Sequence, residues 1–250
     1  DVRRDGAGLI PPRDATPPPT PPPPSQASEA EARRQLLAVE KRNAEMVSLR
    51  ATLAYKLGSA RELKDEERFY FAMNLDFRGR AYPVSPHLSP TNDDLARAML
   101  VFADPKPLGE RGRFWLRVHL ANLYGNDKVP LEERAAWAER EEASGILGAV
   151  AAAPLDEAHL PYWLAADKPF QFLAVCRELA EVAAAADPAA YASRMPVHQD
   201  GSCNGLQHFS ALGRDALGGL HVHRIPSDDG LNQDVYTGEK ERGRSTRAAT

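Results

Sequence analysis

Between Ser28 and Leu57, polar and apolar positions follow a helical period: Leu36, Val39, Met46, Leu49, Leu53 and Leu57 recur at steps of three, four or seven. Ser28 and Glu31 have the spacing of a capping box. One long amphipathic helix is expected over 28–67, its regular part ending near Gly58. Two more are expected in 91–124. Thr91 or Asn92 caps the first, which contains Leu95, Met99 and Phe102, and Gly109 opens the second, which carries Trp115, Leu116, Leu120 and Leu123. Charged helices follow over 131–152 with Trp137 as anchor. Pro169 opens another, with Phe170, Leu173, Leu179 and Val182 inward, and a short helix is expected around Tyr191.

The pattern then changes. Val197 precedes a lone acid, Asp200, a run of small and polar residues, and then Leu206, Phe209 and Leu212 at helical spacing, which reads as strand, tight turn, helix. Leu220 to Ile225 alternates like a second strand, antiparallel to the first, and Ser227 to Tyr236 reads as a capped helix start. The expected class is mainly α with a small antiparallel β element, an α+β fold.

Composition changes this picture at the ends. Residues 11–24 contain nine prolines and almost nothing apolar, so 1–27 is expected to be a Pro-rich disordered linker. Residues 239–250 form a polar tail without an apolar stripe. With 43% hydrophobic residues in 250 there is material for a core, and no apolar run approaches the roughly 20 residues of a membrane span. A soluble protein is expected. The chain begins at Asp1 without a basic-plus-apolar leader, which reads as a truncated or processed end. Cys176 and Cys203 make neither a disulfide framework nor a CxxC pair, and a buried, inert thiol is the expectation for Cys176.

The net charge of −4 hides a gradient. Residues 68–130 carry nine lysines and arginines against six acids, whereas 131–200 carry five against twelve. The basic part includes Arg68, Arg78, Arg80, Arg111, Arg113 and Arg117, which can meet phosphates locally.

Two stretches carry candidate chemistry. In Pro196 to His208, Asp200 stands at the mouth of the expected strand, and Gly201 and Gly205 leave room for a close ligand. A carboxylate beside a backbone carbonyl suits Mg²⁺, although spacing alone fits an aspartate that merely caps a helix equally well. In Phe69 to Pro83, aromatics interleave with Arg78 and Arg80 around Gly79. Arginine forks bind phosphate and aromatics stack on bases; the plainer alternative is a surface turn whose arginines pair with nearby acids. His119 is expected to be a hydrogen-bonded packing residue. His221 and His223 would share a strand face, but no third ligand stands at zinc spacing. Asp93-Asp94 and Asp228-Asp229 sit where acids serve helix starts.

The string from Pro196 to His208 closely resembles motif A of the single-subunit RNA polymerases of bacteriophage and mitochondrial type, and Asp76, Gly79 and Arg80 match that family's Asp-x-x-Gly-Arg motif position for position. The likeness runs over 68–238, implying the N-terminal half of a polymerase palm preceded by a thumb-side helix at 28–67. It implies that Asp200 and the Gly201 carbonyl bind two Mg²⁺ ions, that Arg80 and Arg78 contact nucleic acid, and that Asn204, Gly205 and His208 touch the nucleotide. The implied reaction is attack of an RNA 3′-hydroxyl on the α-phosphate of a nucleoside triphosphate. DNA template, RNA product and NTPs are the implied partners, with accessory transcription factors besides, and the mitochondrion, or alternatively a plastid, the implied location. The family's second carboxylate, from a His-Asp motif, and its Lys- and Tyr-bearing fingers helix do not appear in these 250 residues, so the chain alone is expected to be inactive. Two other readings stay open: a non-catalytic helical protein-interaction module, and another metal-dependent nucleotidyltransferase.

Overall fold

A computed structural model describes residues 29–198 and 203–226. The expectations for 1–27, the Ser28 cap, the Asp200 turn itself and everything after Pro226 lie outside these residues. The described residues fall into two compact units, divided between Ala103 and Asp104.

In the first unit, α1 runs from Glu29 to Leu63 as a single helix of 35 residues. Its inward stripe passes through Val39, Asn43, Met46, Arg50, Leu53 and Leu57, while Leu36 and Leu49 are exposed. Both lines fit helical spacing; burial follows the one on which Arg50 can lay its methylene stem against apolar neighbours. Strands β1 (Met73–Leu75) and β2 (Ala81–Pro83) pair as an antiparallel hairpin in register Leu75 with Ala81. Helix α2 spans Asp94–Ala98 and is capped by Asp93, whose carboxylate accepts from the Ala96 N–H at 3.2 Å. Thr91 and Asn92, the expected caps, brace the preceding loop instead, through the Ser89 hydroxyl and the Pro86 carbonyl. Asp93 also pairs with the buried Lys56 of α1, and Tyr55 stacks on His87 at 4.8 Å. A charged pair and a ring stack thus fasten the loop to α1.

The second unit is a helical layer. Helix α3 (Gly109–Tyr124) packs against α4 (Leu131–Ala143) and α7 (Pro169–Ala184), α5 (Ile146–Ala152) lies on α7, and α6 (Leu160–Leu164) completes the layer. Their inward faces supply Leu116, Leu120, Val150, Trp163, Phe172, Val175, Cys176, Leu179 and Val182, all 2% exposed or less. Burial pushes the Cys176 thiol far above its ordinary range, so it is the inert thiol expected. Tyr124 meets the rings of Trp137, Tyr162 and Phe172 at 5.0 to 5.6 Å. Gly125 ends α3 in the left-handed region, φ 105°, and a Cβ there would strike the Asp167 side chain. Glu142 of α4 accepts from Arg113 and Arg117 of α3; burial works to raise its carboxyl, but those hydrogen bonds prevail and hold it below its usual range.

The β content differs in place from the expectation. Strand β3 (Lys106–Pro107) pairs antiparallel with β4 (Ala192–Ser193), so the ladder falls upstream of Val197. Val197 lies in irregular chain, and no helix forms around Tyr191, whose carbonyl instead accepts from the Leu108 N–H. Helix α8 spans Asn204–Leu212 as expected. Leu220 to Ile225 is not a strand: Asp215 caps α9 (Ala216–His221) by accepting from the Gly218 N–H, and the N–H groups of Arg224 and Ile225 fold back onto the Gly219 carbonyl. The alternation came from a helix end closed by His223 at φ 60°. His221 and His223 therefore share no strand face, which removes the basis of the zinc pair.

Candidate functional site

Asp-x-x-Gly is the composition of a tight turn, with an acid at the first position and glycine at the fourth. The first unit uses it so. The Gly79 N–H donates to the Asp76 carbonyl and the Asp76 N–H to the Arg80 carbonyl, each at 2.9 Å, and Gly79 takes φ 79°, the left-handed residue that closes a hairpin of this length. The Asp76 carboxylate lies inside the turn and accepts from the Arg78 and Arg80 N–H groups at 2.9 Å and from the Arg78 Nε at 3.0 Å. The Arg80 N–H most of all, with the Arg78 side chain and N–H, holds its carboxyl below the ordinary 3.8 against an opposing desolvation that exceeds either Arg78 contribution.

The two arginines are thereby separated. Arg78 is tied to Asp76, with its guanidinium 5.3 Å from the Phe77 ring. Arg80 is exposed, and among the described residues its guanidinium makes no hydrogen bond or ion pair. The surface-turn alternative describes Arg78, which pairs with a nearby acid, while the Arg80 guanidinium is exposed. Phe77, 96% exposed, stands at the tip.

The brace has a pH signature. Because the Asp76 carboxyl is depressed, its contribution is complete above 3.8 and is lost as pH falls through its lowered value. Amide shifts of Gly79 and Arg80, followed by NMR, are expected to titrate with a midpoint below 3.8; a midpoint at or above it would exclude the brace.

In the second unit, the segment entering the acid is anchored stepwise. Residues 192–193 pair with β3, the Ser193 hydroxyl donates to Glu178 of α7, and the Met195 N–H donates to the Ser193 hydroxyl at 3.1 Å. Burial raises the Glu178 carboxyl above its usual range, against the Ser193 bond, which lowers it. Val197 and His198 then border a cavity of about 360 Å³ with Trp115, His119 and Asn122 of α3. The His119 and His198 rings lie 6.0 Å apart. Asp200 and Gly201 follow, outside the described residues.

Beyond them, α8 is turned inside out. Gln207 and Ser210 face inward, with the Gln207 amide donating to the Val222 carbonyl at 2.8 Å, while Leu206, Phe209 and Leu212 are 47%, 72% and 83% exposed. Asn204, Gly205 and His208 are exposed too, so the three expected nucleotide contacts lie together on solvent-facing helix. Among the described residues, a Cβ at Gly205 would meet nothing within 4 Å.

Residues 106–245, more than half of the chain, match the family described as DNA-dependent RNA polymerase. The chain belongs to this family. Among its polymerase relatives, the mitochondrial DNA-directed RNA polymerase of Homo sapiens is 47% identical over 237 residues, covering 91% of this chain and 18% of the relative. DNA-directed RNA polymerase 2B, chloroplastic/mitochondrial, of Nicotiana tabacum is 44% identical over 234 residues, covering 93% of this chain and 22% of the relative. The chain thus spans about a fifth of the length of the curated relatives it matches.

In this polymerase chain, the expected site residues fall in both units: Arg78 and Arg80 in the first, Asn204, Gly205 and His208 in the second. The sequence reading did not pick out the His119 contact with His198, because helical spacing marks His119 as inward without saying what it meets. Among the described residues, no three His, Cys, Asp or Glu side chains gather as metal ligands, and no helix is long and apolar enough to cross a membrane.

Proposed function

We propose that this chain supplies the first half of the palm, residues 68–238, of a mitochondrial-type RNA polymerase, with α1 as its thumb-side helix and a plastid as the alternative location. The hairpin carries the reading furthest: it spends one arginine on its own brace and presents the other, unpaired, to solvent. An exposed guanidinium on a fixed turn suits a phosphate of template or RNA–DNA hybrid.

In the sequence after His198, the Asp200 carboxylate and the Gly201 carbonyl offer oxygen donors only, the chemistry that fits Mg²⁺ sharing its shell with substrate phosphates. Bound there, Mg²⁺ supplies activation of the RNA 3′-hydroxyl and neutralisation of the leaving pyrophosphate. Asp200 holds the metals, while Asn204 and His208, with Gly205 between them, present polar groups and open backbone to the incoming NTP. The 250 residues carry one of the two carboxylates this chemistry uses and no fingers helix, so RNA synthesis requires more polymerase than this chain, and transcription factors act on that larger assembly.

The test is salt-dependent binding of an RNA–DNA hybrid to the purified chain. Arg80→Ala is expected to weaken binding and to lower the slope of log affinity against log salt by about 1, one phosphate contact. Arg78→Ala, which loosens the brace, is expected to weaken binding with a smaller change of slope. Equal slopes for the wild type and Arg80→Ala would remove the hairpin from the nucleic-acid surface.

A further inference from the structure

Helix α8 turns Gln207 and Ser210 inward and ties both down, the Gln207 amide to the Val222 carbonyl and the Ser210 hydroxyl to the Gln207 carbonyl. Its neighbour α9 lies on that same side, where Gly218 comes close to Ser210. Leu206, Phe209 and Leu212 stand open to solvent at steps of three. Steps of three form one of the ridges with which helices interdigitate, so these side chains make a continuous raised line rather than scattered points. Asn204 and His208, a step of four apart, occupy the other edge of the exposed surface. A contiguous apolar line in water, bordered by polar residues, marks an interaction surface.

Size narrows what covers it. A stable contact between separate molecules engages roughly 20 to 30 residues a side, and the ridge offers three. A segment of the same polypeptide needs no such area, because linkage holds it at high effective concentration. Within this chain, the stretches outside the described residues bring few large apolar side chains: Val2, Leu9 and Ile10 at the start, and Leu231, Val235 and Tyr236 after Pro226. The family match, by contrast, runs through α8, and the matched stretch is only 18% and 22% of the two relatives, so most of their length lies outside it.

We propose that the ridge of Leu206, Phe209 and Leu212 seats an apolar helix of the polymerase polypeptide beyond this chain, with the Phe209 ring as its central anchor. This rests on the reading of the chain as part of a larger polymerase. The two edges of α8 then divide the work: the helix is fastened along its apolar edge, which fixes Asn204 and His208 on the other.

The test is thiol labelling of Phe209→Cys and Leu212→Cys, resolved by peptide mass spectrometry, in the isolated 250-residue chain and in the Homo sapiens relative with its matching stretch replaced by this chain. Both cysteines are expected to react as exposed thiols in the isolated chain and at least about tenfold more slowly in the chimera. A second chimera carrying only residues 203–226 gives the same measurement if the larger replacement does not fold. Equal rates in chimera and isolated chain would overturn the proposal. Slow labelling already in the isolated chain would assign the cover to this chain's own residues, slowing that grows with its concentration to a second copy, and slowing only after NTP or hybrid is added to substrate; each overturns the proposal as well. Primer extension is read in parallel: a folded chimera that makes no RNA counts against the polymerase reading, while its labelling rates still decide the ridge.

Discussion

Asp200→Asn is expected to abolish RNA synthesis when this chain replaces the matching stretch of the Homo sapiens relative, lowering kcat at least about 10³-fold, roughly 4 kcal/mol of transition-state stabilisation. The substitution keeps the size of the side chain and removes its charge, so it separates metal holding from packing. An aspartate that only caps a helix would give a different result, since asparagine caps as well as aspartate does. The unsubstituted chimera sets the baseline, and primer extension is the assay. Activity of Asp200→Asn within about tenfold of that baseline would return Asp200 to the capping reading.

Phe172→Ala carries the largest expected effect on the fold. The side chain is 0% exposed, and its ring meets Tyr124 at 5.3 Å and Tyr162 at 6.0 Å, joining α3, α6 and α7. Truncation removes apolar burial and leaves a cavity that helices held on several sides cannot close. The expected loss is about 3–5 kcal/mol, a large part of a domain's usual stability, seen as a fall in Tm of roughly 10 °C. Phe209→Ala, at a ring 72% exposed, is the matched control and is expected to shift Tm by less than about 2 °C. Similar losses at the two positions would mean that the second unit is not packed as described.

The long helices were legible because each writes its inward face every three or four residues and its ends in Pro, Gly or Asp. The stretch from Gly109 to Tyr124 and that from Pro169 to Ala184 show both signals. The two short ladders were not legible. A two-residue pairing such as Lys106–Pro107 with Ala192–Ser193 is too brief for alternation to appear, and its partners are far apart in sequence. Alternation misled at Leu220 to Ile225, where a capped helix end happens to space apolar residues two apart. The hairpin was half legible: a surface turn whose arginines pair with nearby acids stood beside the binding-loop reading, and Asp76 and Gly79 spell that turn. What could not be read was the unequal use of Arg78 and Arg80. That depends on which guanidinium the turn brings back to Asp76, a property of backbone direction rather than of residue type.

The inverted polarity of α8 also divides the mutational freedom of one short helix. Replacing Gln207 with an apolar residue strips the Val222 carbonyl of its donor, a cost the second unit bears at once. Replacing Leu212, 83% exposed, with a polar residue removes no contact on which this unit depends. As far as the packing of the described residues is concerned, the outer face is free to drift. Any selective constraint found there originates outside the described residues, so a comparison of substitution rates on the two sides of nine residues would measure how much is demanded of them from beyond this packing.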